Sequence, residues 1–114
     1  MDAVAETTET GGGFYEEPIR IIASDDVHTF VRQHGGRLYV WTVAHRSVRA
    51  TITLLETATT CPNRPTLGFV RFGAGDFDLY LDSGGHGWPD ELVLELKWRR
   101  QLIRAYWNNC AYLF

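Results

Sequence analysis

The sequence is poor in cysteine and in long apolar runs, and both absences exclude classes of protein. It has two cysteines, Cys61 and Cys110, too few for a disulfide framework and too far apart for a paired CxxC zinc site. No uncharged apolar run approaches the roughly 20 residues that a membrane-spanning helix needs. Residues 1–13 also lack the apolar segment of a signal peptide. We therefore expect a cytoplasmic protein with no membrane contact.

A strongly basic face is missing as well. The formal net charge is −3, but five of the fourteen acidic residues precede Pro18 and all eleven basic residues follow it. The chain after Pro18 therefore carries a small excess of positive charge. This excess falls well short of the basic stripe that is typical of nucleic-acid-binding proteins, so we expect no nucleic-acid partner.

The chain divides into a tail and one domain. Residues 1–13, MDAVAETTETGGG, offer almost nothing to bury and cannot offset the entropy lost on ordering. We therefore predict a disordered acidic tail over residues 1–17. Residues 18–114 suffice for a single domain with its own core. Their patterns predict an α+β fold, a mostly antiparallel β core with one short N-terminal helix.

One helix and five strands can be placed along the first three quarters of the chain. Ser24 offers an N-cap hydroxyl, apolar residues recur at helical spacing after it, and Gly35-Gly36 supplies a stop. These signals predict a helix over residues 25–34. Runs of β-branched and aromatic residues predict strands, of which the last four form two hairpins. The strands cover residues 19–23, 38–45, 50–59, 69–72 and 77–81.

The last quarter is ambiguous between helix and strand. Pro89-Asp90-Glu91 is typical of a helix start, whereas every second residue from Leu92 to Trp98 is apolar, as in a strand. We favour strands, because a helix here would be apolar on all sides. Residues 103–107 and 110–114 are then expected to pair across Asn108-Asn109, a dipeptide that tolerates the positive φ of a tight turn.

Three residues are candidate metal ligands. His86 lies in a glycine-rich loop beside Trp88, where its imidazole could act as ligand, acid or base; the alternative is a turn whose glycines serve only backbone geometry. His45 lies at a predicted hairpin tip, where a solvated strand end is the better explanation and a ligand role the alternative. Cys110 is the third, although a free cysteine is usually a small buried hydrophobe.

The C-terminal segment is rich in aromatic and arginine residues. Aromatic runs usually belong to a core. If exposed, however, this set would anchor a protein partner or a second copy of the chain, since Trp, Tyr and Arg dominate binding hot spots. Its members are Trp98, Arg99, Arg100, Arg104, Tyr106 and Trp107.

No catalytic motif stands out. The glycine-rich stretches lack the Lys-Ser/Thr pair and the following helix that a phosphate-binding loop needs. Neither Ser47 nor Ser83 has the context of a nucleophile elbow. A small enzyme that uses His86 as acid or base therefore ranks last, and a non-catalytic protein is favoured.

The order of elements resembles the HesB family of A-type iron-sulfur carrier domains. A strand, a capped helix, Gly35-Gly36, Leu-Tyr-Val-Trp at residues 38–41, Asp-Leu-Tyr-Leu-Asp-Ser at residues 78–83 and a cysteine-bearing end follow one another. The resemblance implies a HesB-like fold and an iron-sulfur cluster, but only Cys110 matches a ligand of the family, whose first cysteine is replaced by His45-Arg46-Ser47. The ending Ala-Tyr-Trp-Asn-x-Cys-Ala-Tyr is also similar to that of small actinobacterial proteins without an assigned function.

Two hypotheses about function follow. The first is a non-catalytic accessory or protein-binding domain with a HesB-like fold, which contacts a partner or subunit through its aromatic and arginine-rich C-terminal segment. The alternative is a metal or iron-sulfur binding or carrier protein that uses Cys110 with His45 or His86. These three residues do not make a complete ligand set for a metal or a cluster.

Overall fold

The structure is a computed structural model that describes residues 2–7, 18–63, 68–85, 87–108 and 112–113. These residues form mostly β-strands with one short helix, which confirms the α+β class. The elements are β1 (Asp2–Thr7), β2 (Pro18–Ala23), α1 (Asp25–Gln33), β3 (Arg37–Arg46), β4 (Thr51–Ala58), β5 (Val70–Gly73), β6 (Asp78–Asp82), β7 (Glu91–Lys97), β8 (Leu102–Trp107) and β9 (Tyr112–Leu113).

Strand β1 joins the two halves of one sheet, whose order is β8-β7-β2-β1-β5-β6-β3-β4-β9. Its first half pairs antiparallel with β2, and its second half pairs antiparallel with β5, Ala5 lying opposite Phe72. Asp2–Thr7 is thus described as a strand where the composition predicted a disordered tail, while residues 8–17 of that tail lie outside the described residues. The composition of residues 2–7 does not predict β1, because this strand depends on backbone pairing with two neighbouring strands.

Helix α1 begins and ends where the sequence signals predicted. Ser24 takes the N-cap position in an extended conformation, with φ −77° and ψ 168°. Gly35 and Gly36 have φ of +111° and +79°, and the Gly36 N–H donates to the Val31 carbonyl oxygen at 2.9 Å. Glycine adopts such left-handed conformations without the steric cost that other residues incur. The helix adds to the core Val27, Phe30 and Val31.

The two predicted hairpins, β3–β4 and β5–β6, are both present as antiparallel pairs. Leu79 and Leu81 of β6 are fully buried, whereas Asp78, Tyr80 and Asp82 between and beside them are partly exposed. This alternation is the pattern expected of a strand with one face on the core. The hairpins are joined because β3 pairs parallel with β6.

The last quarter forms strands, as favoured, but their pairing differs from the prediction. β7 and β8 pair with each other across residues 98–101, Lys97 lying opposite Leu102, and β9 pairs instead with β4. Asn108 does have a positive φ, +48°, but its amide oxygen accepts from the Glu91 N–H at 3.0 Å. Asn108 therefore ends β8 beside the start of β7.

The sheet curves until β4 and β8, which are far apart in the strand order, lie side by side. The Thr57 hydroxyl of β4 donates to the Ile103 carbonyl oxygen of β8. Depressions of about 260 and 310 Å³ lie along this seam, the first between residues 57–60 and residues 101–103. The turn of the β7–β8 hairpin thus lies near the C-terminal end of β4.

Candidate functional site

The turn of the β7–β8 hairpin is held by bonds within the turn itself. The Arg100 N–H donates to the Lys97 carbonyl oxygen at 3.1 Å, and the Gln101 N–H to that of Trp98 at 3.4 Å. The Gln101 side-chain amide donates to the same Trp98 oxygen at 2.8 Å. Gln101 itself has φ +52°, a conformation that few L-residues adopt without such support. The turn therefore presents its side chains from a fixed backbone.

The exposed side chains of this turn form one continuous surface. Trp98 is 66% exposed and Leu102 39% exposed, and the arginines beside them are exposed as well. A depression of about 360 Å³ lies among these side chains. We call this the hairpin-tip surface, formed by Lys97, Trp98, Arg99, Arg100, Leu102 and Arg104.

Positive charge on this surface is only partly neutralised. Glu95 is bonded to Lys97 Nζ at 2.8 Å and accepts from the Tyr106 hydroxyl at 2.8 Å. The hydrogen bonds from Lys97 and then Tyr106 lower the pKa of Glu95, and the bond to Glu95 raises the pKa of Lys97. Among the described residues, no carboxylate lies within ion-pair distance of Arg99, Arg100 or Arg104.

The aromatic and arginine set from the sequence divides between surface and core. Trp98, Arg99, Arg100 and Arg104 lie on the hairpin-tip surface. Tyr106 is partly buried, with the Arg104 guanidinium 6.0 Å from its ring centroid. Trp107 is only 7% exposed and points to the core side of β8, with Ile103 and Ala105. Exposure, the condition for a binding role, is therefore not met by Trp107.

The candidate metal ligands are not brought together in the part of the chain that is described. His45 is exposed near the end of β3, opposite Ile52 of β4. His86 and Cys110 lie outside the described residues. Within the described ranges, no three His, Cys, Asp or Glu side chains form a group that could hold a metal ion.

A polar cluster between helix α1 and the β5–β6 turn was not predicted from the sequence. His28 Nδ1 donates to Asp76 Oδ1 at 2.5 Å, and Arg32 Nε lies 3.1 Å from Asp76 Oδ2. The His28 hydrogen bond is the main cause of a lowered pKa of the Asp76 carboxyl. His28 and Arg32 share a helix face at i,i+4 spacing, but no sequence signal pairs them with a turn 48 residues away.

Comparison with models of protein families, with curated proteins and with solved structures returned no match. Among the described residues, no helix has both the length and the apolar character needed to cross a membrane. The geometry of the described residues is therefore the basis for assigning a function.

Proposed function

We propose that this protein is a non-catalytic accessory or protein-binding domain that contacts a protein partner, or a second copy of the chain, through the hairpin-tip surface. The observation that carries this proposal is the 66% exposed Trp98 set among three arginines, none of which lies within ion-pair distance of a described carboxylate. Tryptophan and arginine supply most of the energetic anchors of protein interfaces.

The contrast between Trp98 and two other tryptophans supports a binding role. Trp41 and Trp107 are 6% and 7% exposed and contribute to the interior. Burying a side chain of this size is worth several kcal/mol to folding, yet Trp98 gains little of that stabilisation in the isolated chain. A partner that covers Trp98 and Leu102 would recover it.

The HesB-like fold and the cytoplasmic location remain parts of this proposal. Support for the fold is the succession of β2, α1, the glycine pair and β3, which is the order on which the resemblance rests. The binding surface does not depend on the HesB-like fold, because it is inferred from the exposure and charge of the hairpin turn.

The second candidate is metal or iron-sulfur binding through Cys110 with His45 or His86. Its support is that the His45 side chain is exposed and its imidazole makes no hydrogen bond or ion pair with the described residues, so the ring is available for a ligand. Elemental analysis and an absorbance spectrum of anaerobically purified protein test it. Metal in stoichiometric amount that is lost in Cys110→Ser would favour this function over the first.

A photo-crosslinking experiment tests the preferred function. A photoreactive phenylalanine analogue replaces either Trp98 or Val48, which is fully exposed in the β3–β4 turn and serves as the matched control. Irradiation in cells of the source organism is expected to give a discrete adduct from position 98 and none from position 48. Equal adducts from both positions, or an adduct from position 48 alone, would contradict the proposal.

A further inference from the structure

We infer that the part of the partner that binds the hairpin-tip surface is an acidic peptide segment, an inference that rests on the proposed function. The segment supplies carboxylates to the guanidinium groups of Arg99, Arg100 and Arg104, and one apolar side chain that covers Trp98 and Leu102. The inference combines the charge, the shape and the surroundings of the surface.

Charge gives the first argument. The sequence from Lys97 to Arg104 contains four basic residues and no acidic one. Glu95, which lies opposite Arg104 in the ladder and attracts it electrostatically, already binds Lys97 and Tyr106. A partner that covered the three arginines without offering acceptors would leave buried charges uncompensated, which is costly. Carboxylates match the planar fork of a guanidinium and can accept two bonds from each.

Shape gives the second argument. The depression of about 360 Å³ is lined by the arginines and by the apolar surfaces of Trp98 and Leu102. A cavity of that size holds one or two side chains, and its wall is both cationic and aromatic. A carboxylate-rich segment with a single Leu, Ile or Phe satisfies both parts of the wall, whereas a uniformly charged chain satisfies only one.

The surroundings favour a peptide over a nucleic acid. On its other side, Trp98 lines a depression of about 290 Å³ together with Asp25 and Asp26 at the start of α1. A phosphodiester backbone laid across Trp98 would meet these carboxylates, and like charges repel. A peptide can place its acidic residues on the arginine side alone, so the two-sided charge distribution selects a partner with local, not uniform, negative charge.

Selection from a random peptide library provides the test. Twelve-residue peptides displayed on phage are selected on the full-length protein and counter-selected on the double variant Arg99→Glu, Arg100→Glu. The control double variant, Arg46→Glu, Arg49→Glu, makes the same charge change at an exposed turn at the opposite end of β4. Circular dichroism verifies that both variants fold.

The expected result is enrichment of Asp and Glu beside one large apolar residue. Synthetic versions should bind at least about tenfold more weakly to Arg99→Glu, Arg100→Glu, and should bind the control variant within about twofold, by fluorescence anisotropy. Replacing their Asp and Glu with Asn and Gln should also cost at least about tenfold. Raising the salt concentration should weaken binding.

Several results would overturn the inference. These are selected peptides that are neutral or basic, a library that yields no binder sensitive to Arg99 and Arg100, or tighter binding of a single-stranded oligonucleotide of the same length. If the adduct at position 98 nevertheless forms, the protein-binding function stands and only the acidic partner is wrong. If that adduct is absent, the proposed function itself fails. An adduct with the mass of two chains would identify a second copy as the partner, and would overturn the inference unless an acidic segment of that copy carries the crosslink.

Discussion

The imidazole of His28 ties helix α1 to the turn between β5 and β6, because its Nδ1 donates to Asp76 Oδ1 at 2.5 Å. Arg32 holds the other oxygen of the same carboxylate at 3.1 Å. The ring of His28 also packs edge-on against Phe77, with 5.1 Å between centroids. The ionised form of Asp76 is thus favoured in the folded state.

This relationship predicts a dependence of stability on pH. A carboxyl whose pKa is lowered by folding stabilises the protein at pH values above its ordinary pKa of 3.8. That contribution is lost as the pH falls through the lowered pKa of the folded state. The melting temperature of the wild type should therefore exceed that of Asp76→Asn at about pH 5, and the difference should shrink towards about pH 2. Arg32→Gln should keep most of the dependence, since the His28 bond is the larger cause. A difference that stays constant over this range would contradict the assignment.

Gly84 allows a close approach of the glycine-rich loop to β3. Its φ is +61°, and a methyl group built on it would overlap the Thr42 hydroxyl. Gly84→Ala should therefore lower the free energy of unfolding by about 1–3 kcal/mol through overpacking and backbone strain. Gly85 has φ +86° but open space around it, so Gly85→Ala measures strain alone. Urea denaturation of both variants, and of Gly84→Ala with Thr42→Ala, should show a larger loss at Gly84 that the second substitution partly restores.

The N-terminus of α1 relies on Asp26 more than on the predicted cap residue. Ser24 makes no side-chain bond to the helix backbone; its hydroxyl donates to Asp26 Oδ1, which also accepts from the Val27 N–H. Asp26→Ala should cost about 1 kcal/mol, because it removes a backbone bond and a favourable charge at the helix N-terminus. Ser24→Ala should cost less. The reverse order in thermal denaturation would restore Ser24 as the cap.

Local signals and long-range pairing account for what the sequence could and could not predict. The Gly35-Gly36 stop and the alternation in β6 are properties of neighbouring residues, and both are readable from the chain. The pairing of β8 with β7 rather than with the last residues is decided by which partner buries Leu92 and Trp107 together, opposite each other in the ladder. The aromatic and arginine-rich C-terminal segment could be named by residue type, but only the structure separates exposed Trp98 from buried Trp107.

Strand β1 should contribute to stability despite its unpromising composition. Proline at position 5 would remove a backbone N–H from the residue that lies opposite Phe72 of β5, at a cost of about 1–3 kcal/mol if the partner is left unsatisfied. Ala5→Pro should lower the melting temperature by at least about 4 °C, whereas Ala5→Ser, which keeps the N–H, should not. An unchanged melting temperature in Ala5→Pro would show that residues 2–7 are not paired in the sheet in solution, in agreement with the disorder that their composition predicts.

Replacing Trp107 should destabilise the fold strongly, whereas replacing Trp98 should leave its stability nearly unchanged. This contrast tests the exposure on which the binding surface depends. Trp107 is 7% exposed on the core side of β8, so Trp107→Ala should cost about 3–5 kcal/mol through lost burial and the cavity left behind. Trp98 is 66% exposed, and Trp98→Ala should change the free energy of unfolding by no more than about 0.5 kcal/mol. Urea denaturation followed by circular dichroism measures both without relying on tryptophan emission. A loss above about 2 kcal/mol in Trp98→Ala would make this side chain part of the folded core, and the hairpin-tip surface would then lack its aromatic anchor.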